Sequence, residues 1–381
     1  MQLNKIKTYS PTKGSGNQVV DKPYDPVTWL GDSLHAPSRK AIRNQIESMG
    51  FVGNITVVDK AYGNDFTAKA GNVNKPFFTH TAAIQAMSSG APGVCITMPG
   101  IYTVSSAFGF PMKDGIDHYL INATIQISPF GYSYGTIMLY PSYVKSKIYG
   151  KGIFLNMSSN QDWSIITPYV ACDLEFEGIR FEGAKQLIGE DGSRTQAKTL
   201  KFKNCELVST NNVIPPTRNA GNYNATGDTQ AVFEDCYIKG NLMVCTSSAN
   251  LFTDPYFLKF YRCRFEAIST NANNLNGSLT LLDYYASTNA FKVLLKDCSF
   301  KSDHENIHCL DGYGGIGTNK SLIIDNCRFQ NGVEGWINNA NVNMGFKLIN
   351  NWSNNPSTGS VVNNLLSGTG ITIDPNLEVE L

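Results

Sequence analysis

One eight-residue sentence recurs along the chain, and it restricts the fold more than any other feature of the sequence. Leu174-Glu-Phe-Glu-Gly-Ile-Arg-Phe181 returns as Leu200-Lys-Phe-Lys-Asn-Cys-Glu-Leu207, Ala231-Val-Phe-Glu-Asp-Cys-Tyr-Ile238 and Leu258-Lys-Phe-Tyr-Arg-Cys-Arg-Phe265. Two more copies follow, Val293-Leu-Leu-Lys-Asp-Cys-Ser-Phe300 and Leu322-Ile-Ile-Asp-Asn-Cys-Arg-Phe329, and Phe346-Lys-Leu-Ile-Asn-Asn-Trp352 is a fading last one. From Phe176 to Leu348 the equivalent positions lie 26, 31, 27, 35, 29 and 24 residues apart. Each copy alternates apolar and polar residues, pauses at a polar pair, then alternates again. Alternation with period two describes a strand with one face inward. The pause (Lys203-Asn204, Glu234-Asp235, Lys296-Asp297, Asp325-Asn326) is turn chemistry, because Asn and Asp tolerate a left-handed backbone.

Each copy is therefore two strands meeting at a corner. A repeat of this length is too short for a four-stranded propeller blade and suits one coil of a parallel β-helix, with loops absorbing the variation. Stacked coils bring equivalent residues about 4.8 Å apart. Cys205, Cys236, Cys263, Cys298 and Cys327 then form one inward row, and Leu207, Ile238, Phe265, Phe300 and Phe329 the next. The chain holds 9 cysteines but no Cys-x-x-Cys, and it is far larger than a scaffold that needs disulfide staples. The spacing predicts reduced, buried thiols that pack as small hydrophobes.

Composition agrees and excludes several roles. Lys and Arg number 31 against 31 Asp and Glu; such a balance lacks the surplus cations of a nucleic-acid binder. A 42% share of hydrophobic residues is too high for a disordered chain. No apolar run reaches the length of a membrane helix, and the start, MQLNKIKTYSPTKGSG, has no apolar core of a secretion signal. The chain carries 38 Asn, 34 Gly and 38 Phe plus Tyr, which fits a mostly β protein with many tight turns.

Ahead of the repeats, Leu34 to Gly50 has the spacing of a short amphipathic helix, with Ile42, Ile46 and Met49 on one face. Residues 1–33 read as an extended arm. A second short helix, THTAAIQAMSS from Thr79 to Ser89, precedes Gly93-Val-Cys-Ile-Thr-Met-Pro-Gly-Ile-Tyr-Thr-Val104. A helix there would cover the open end of a solenoid, where strand edges are otherwise unpaired.

The sequence TAAIQAM…GVCITMPGIYTV resembles the entry to the pectate-lyase-like right-handed β-helices of bacteriophage tailspikes and related virion proteins. The resemblance covers about residues 79–350 of the chain. It implies an all-β, single-stranded right-handed parallel β-helix over 79–350, a virion-anchoring segment over 1–78 and a C-terminal tail over 351–381. It further implies association in threes, contact with a host surface polysaccharide, and a place on a particle assembled in the host cytoplasm.

For chemistry, the alignment of Leu281-Leu-Asp-Tyr-Tyr285 with Cys309-Leu-Asp-Gly-Tyr313 and then Trp336-Ile-Asn-Asn339 stacks Asp283 on Asp311 and places Asn338 one coil further. Two carboxylates about 5 Å apart match a retaining glycosidase pair, nucleophile and acid/base, and repulsion between them would raise one pKa. The same oxygens are of the kind that hold Ca²⁺, and a plain Asp/Asn turn row is the third reading. Tyr284, Tyr285 and Tyr313 would offer flat faces to sugar rings, with Asn338 as the fourth residue of that sugar-contacting set. His304-Glu-Asn-Ile-His308 has the zincin spacing, but its setting is a loop between strands, without the helix that would put both imidazoles on one metal. No metal or other cofactor is expected beyond that Ca²⁺ reading. The Asp-Asp, Gly-His-Gly and Arg-Ile-Lys elements of polygalacturonase-like enzymes do not occur. The expectation is thus a glycan-contacting virion protein, with a depolymerase using Asp283 and Asp311 as first rival and a purely structural particle component as second.

Overall fold

The computed structural model describes residues 18–20, 35–37, 54–88, 90–104, 110–127, 144–156, 172–183, 198–214, 229–246, 256–267, 279–283, 291–302, 310–314, 320–330, 337–339, 344–349, 352–353 and 372–373. Two short strands, β1 (Gln18–Val20) and β2 (His35–Pro37), pair in parallel with each other. His35 to Pro37 is extended, so no helix starts at Leu34; the remainder of that predicted helix lies outside the described residues. The other strands form a right-handed parallel β-helix in which every pairing is parallel and joins one coil to the next.

The coil has three faces. The first face is built from β3 (Asn54–Val58), β4 (Gly93–Thr97), and the leading halves of β6 (Ile116–Ile127), β7 (Val144–Asn156) and β8 (Cys172–Gly183). It continues through β9 (Lys198–Lys203), β11 (Thr229–Glu234), β13 (Tyr256–Tyr261), β16 (Phe291–Lys296), β19 (Lys320–Asp325) and β22 (Met344–Ile349), and ends on β24 (Thr372–Ile373). The second face carries β5 (Gly100–Val104), the trailing halves of β6, β7 and β8, then β10 (Glu206–Ile214), β12 (Tyr237–Thr246), β14 (Arg264–Ala267), β17 (Ser299–Ser302), β20 (Arg328–Gln330) and β23 (Trp352–Ser353). The third joins the end of β12 to β15 (Leu279–Asp283), β18 (Leu310–Gly314) and β21 (Ile337–Asn339). Pairing begins at Asn54 and reaches Ile373, so the ladder runs past both ends of the 79–350 span predicted for it.

The corner between the first two faces explains the polar pair. Its second member is left-handed in all five cysteine-bearing repeats: Asn204, Asp235, Arg262, Asp297 and Asn326 have φ of 51°, 54°, 53°, 56° and 51°. A left-handed residue costs an L-amino acid about 1–2 kcal/mol, which Asn and Asp bear best. The ladder of hydrogen bonds survives the bend, since Asn204 N donates to Glu234 O and Tyr237 N to Cys205 O, both at 2.9 Å.

Inside, like stacks on like. Phe176, Phe202, Phe233 and Phe260 follow one another in register, and their rings stack with centroids 5.1, 4.7 and 4.8 Å apart. The predicted cysteine row is buried, and each of its five members is a free thiol. The predicted row Leu207, Ile238, Phe265, Phe300, Phe329 is in register as well. Phe265 and Phe300 lie parallel at 4.5 Å.

At the N-terminal end, α1 (His80–Ala86) begins at Thr79, whose hydroxyl accepts from Ala82 N. It buries His80, Ala83 and Ile84 against the first coil. The helix predicted there from its periodicity is present and covers the end of the solenoid. Among the described residues no helix is long and apolar enough to cross a membrane.

Candidate functional site

The third face decides the fate of the proposed carboxylate pair. Its register sets Thr280 opposite Asp311, Leu282 opposite Tyr313 and Asp283 opposite Gly314. Asp283 and Asp311 are thus three positions out of register, about 10 Å of strand, and the ladder does not bring them opposite each other. The alignment by sequence paired Leu281-Leu-Asp with Cys309-Leu-Asp; the strands pair Leu279 with Leu310 instead. The cause is that the loops between these coils differ in length, and β15 and β18 contain no corner cysteine to fix their alignment. The next step, Asp311 opposite Asn338, is as the sequence suggested. A Ca²⁺ held between Asp283 and Asp311 loses its basis with the same register. Tyr284, Tyr285 and the His304–His308 motif lie outside the described residues. Among the described residues no three His, Cys, Asp or Glu side chains are grouped to hold a metal ion.

Among the described residues, a groove lies elsewhere, along the first corner of coils three to six. It encloses ≈ 350 Å³ and is lined by Asn122, Thr124, Lys151, Arg180, Asn204 and Glu206, over a floor that includes Gly152 and Gly178. Each rim residue has its place from the coil. Thr124, Ile153, Arg180 and Glu206 are consecutive steps of one row on the second face. Asn122 and Asn204 occupy left-handed corner positions, with φ of 47° and 51°. Between them the corner passes through Gly150-Lys151 on one coil and Gly178 on the next, so at Gly178 no side chain stands where Asn204 carries an amide. At Gly178 a Cβ would come within 2.5 Å of the Gly150 carbonyl oxygen; the coils approach too closely here for any larger residue.

The polar groups of the groove are suited to binding. Arg180 donates from Nε to Glu182 at 2.9 Å and from Nη1 to Glu206 at 2.7 Å, bridging two coils. The acidic residue in the lining, Glu206, is therefore already an acceptor of a charged donor. Two amides, a hydroxyl and the exposed Lys151 ammonium complete the surface; such groups exchange hydrogen bonds with a polar ligand. The sequence marks Asn204 as a turn residue, but none of these residues as part of a binding surface. The Gly-for-Asn exchange at one corner position was visible in Leu174-Glu-Phe-Glu-Gly, and it is the signal that marks the groove.

Beside it, charges on the first face knit coil to coil. Lys147 pairs with Glu175 at 3.0 Å and with Glu177, and hydrogen bonding from Lys147 lowers the Glu177 pKa. Arg262 pairs with Glu234 at 2.6 Å and Asp235 at 2.7 Å. Partly exposed pairs of this kind contribute little each; they fix the mutual register of charged rows.

No protein-family model matches the chain, and no curated protein matches it. Among solved structures, a crystal structure of the pectate lyase Pel9A is similar at 14% identity, covering 80% of this chain and 78% of that one, with a TM-score of 0.43. A rhamnogalacturonan lyase is similar at 14% identity over 76% of each chain, with a TM-score of 0.37.

Proposed function

We propose that this protein is a polysaccharide-binding β-helix that contacts a host surface glycan as part of a phage particle, with the corner groove as its sugar-binding surface. The observation that carries the reading is the groove itself: an open, polar, rung-spaced channel with amide, hydroxyl and ammonium groups on a rigid wall. Four coils at the inter-strand spacing give it a length of about 14 Å, enough for several units of an extended chain. Rigid placement of those groups means that a ligand does not have to order them on binding.

The particle context rests on the resemblance of the helix-to-coil entry to tailspike-type proteins. In this reading residues 1–78 attach to other virion proteins, three chains associate side by side, and binding needs no cofactor. Asp283 and Asp311 are not assigned a joint catalytic role, because the strand register separates them.

Retention on an array of host capsule and lipopolysaccharide glycans tests the proposal. Asn122→Gly and Asn204→Gly remove the amides while keeping a residue that accepts the left-handed backbone. The double variant is expected to lose about tenfold or more in affinity, the scale of one or two hydrogen bonds, with an unchanged melting temperature. A blank array for the parent protein, with tight attachment to the particle, would leave the structural role instead. New reducing ends or unsaturated products would establish the depolymerase.

A further inference from the structure

A polar side chain stands where the stacked core calls for an apolar one. His118 is the third member of an inward row that starts at Thr56 and Cys95 and continues through Ile148, Phe176, Phe202, Phe233 and Phe260. It is wholly buried, and neither ring nitrogen has a hydrogen-bond partner. Its ring lies 4.8 Å from that of Phe110, and on the other side of Phe110, at 4.9 Å, is His80 of α1. His80 is buried too, bonded through Nε2 to the Thr97 hydroxyl at 2.9 Å and edge-on to Tyr102 at 5.1 Å. The two imidazoles and the ring between them join the cap helix to the first complete coils.

We propose that the N-terminal cap is an acid-released plug, in which protonation of His80 and His118 is coupled to undocking of α1 from the end of the β-helix. A buried imidazolium with no acceptor is costly, so the docked cap keeps both rings neutral, whereas an undocked cap returns them to water. Other groups do not supply the missing counter-charge. His118 faces Cys95 on β4 and Ile148 on β7, and His80 faces Thr97, Tyr102 and Phe110. Burial pushes the Cys95 thiol and the Tyr102 phenol each up to about 12, so both stay neutral. Asp65 holds the start of the helix through Thr79, and Lys113 donates to the Met87 and Ile84 carbonyls at its end; neither acts on the imidazoles.

The sign follows from burial, which lowers both histidines from 6.5 to about 3, with His80 lowering His118 further. A lowered folded-state value means that the docked cap binds fewer protons than the open one. Docking is strongest above pH 6.5 and weakens as pH falls towards 3. Each histidine favours opening about thirtyfold between pH 7.5 and 5, and the two together about a thousandfold; that window lies above the ordinary carboxylate range. The first coils, β3 and β4, lie between His118 and the end of the solenoid, where a coil has a neighbour on one side only and opens before the interior does.

Hydrogen exchange on the full chain reads the opening. After correction for intrinsic rates, the amides of Ala83 and Met87 should show an opening constant about a thousandfold larger at pH 5 than at pH 7.5, while amides of β11 stay protected. His118→Phe, which puts an apolar ring at that step of the row, should cut that to about thirtyfold, and His80→Gln likewise. A change of thirtyfold or less in the unaltered protein, or opening of β11 in step with the cap, overturns the proposal. Full pH dependence in His118→Phe overturns it as well.

Discussion

The thiol of Cys236 donates to the carbonyl oxygen of Phe202, 3.4 Å away on the preceding coil. The same bond recurs from Cys205 to Phe176, from Cys263 to Phe233 and from Cys298 to Phe260, at 3.3, 3.5 and 3.6 Å. Each thiol therefore fills the inside of a corner and also meets a carbonyl of the preceding coil. All five thiols of the row are buried, and burial pushes the Cys263 thiol far above its ordinary value, so the row is shielded from reagents. In native protein a thiol reagent should label none of Cys205, Cys236, Cys263, Cys298 and Cys327, and all five once denaturant is added. Labelling of any of the five under native conditions would refute the packing. Cys236→Ala should cost about 1 kcal/mol, a lost weak bond plus a small void, measured by chemical denaturation.

The corner backbone can be tested at Asp297. Asp297→Gly and Asp297→Val both remove the bond it accepts from the Asn326 amide, so their difference isolates the conformational term. The valine variant should be less stable than the glycine one by about 1–2 kcal/mol. Equal midpoints in thermal melts would mean that the left-handed geometry is not what constrains this position.

Phe202 is stacked on both sides, by Phe176 and by Phe233. Phe202→Ala should lose about 3–5 kcal/mol, because stacked coils cannot close a ring-sized void without breaking register. Phe202→Leu should lose far less, since Leu295 and Ile324 occupy the same row downstream. Urea denaturation of the three proteins compares them directly.

The third-face register is checked by cross-linking. With cysteines at positions 280 and 311, Thr280→Cys and Asp311→Cys, a disulfide should form under mild oxidation, as those Cα atoms are directly opposite and adjacent strands satisfy the Cα spacing a disulfide needs. Asp283→Cys with Asp311→Cys should not form one. The reverse outcome would restore the carboxylate pair.

Most of the coil was legible in the sequence because its causes are local. Alternation sets which residues face inward, and Asn204, Asp235, Asp297 and Asn326 announce the corner through their tolerance of positive φ. Arg262 occupies the same position with φ of 53°, although arginine is not a turn residue; its ion pairs with Glu234 and Asp235 cross to the neighbouring coil. The earlier coils were harder to read. Between Phe176 and its inward corner residue Ile179 the chain advances by three, but between their partners Ile148 and Gly152 it advances by four. That one-residue irregularity, together with the absence of cysteine, hides the repeat in Val144–Asn156. The groove was missed for the same reason, since it occupies those irregular coils.

By itself the sequence determined a two-strand corner, its repetition and therefore the stacked interior, because alternation and left-handed turns need nothing beyond neighbouring residues. Only the tertiary structure decided that Asp311 faces Thr280 and that His118 lies unpaired beneath Phe110. Those outcomes depend on how loops of unequal length close onto a common axis. That closure is settled by packing and hydrogen bonding between coils about thirty residues apart, which the local pattern of any single coil does not encode.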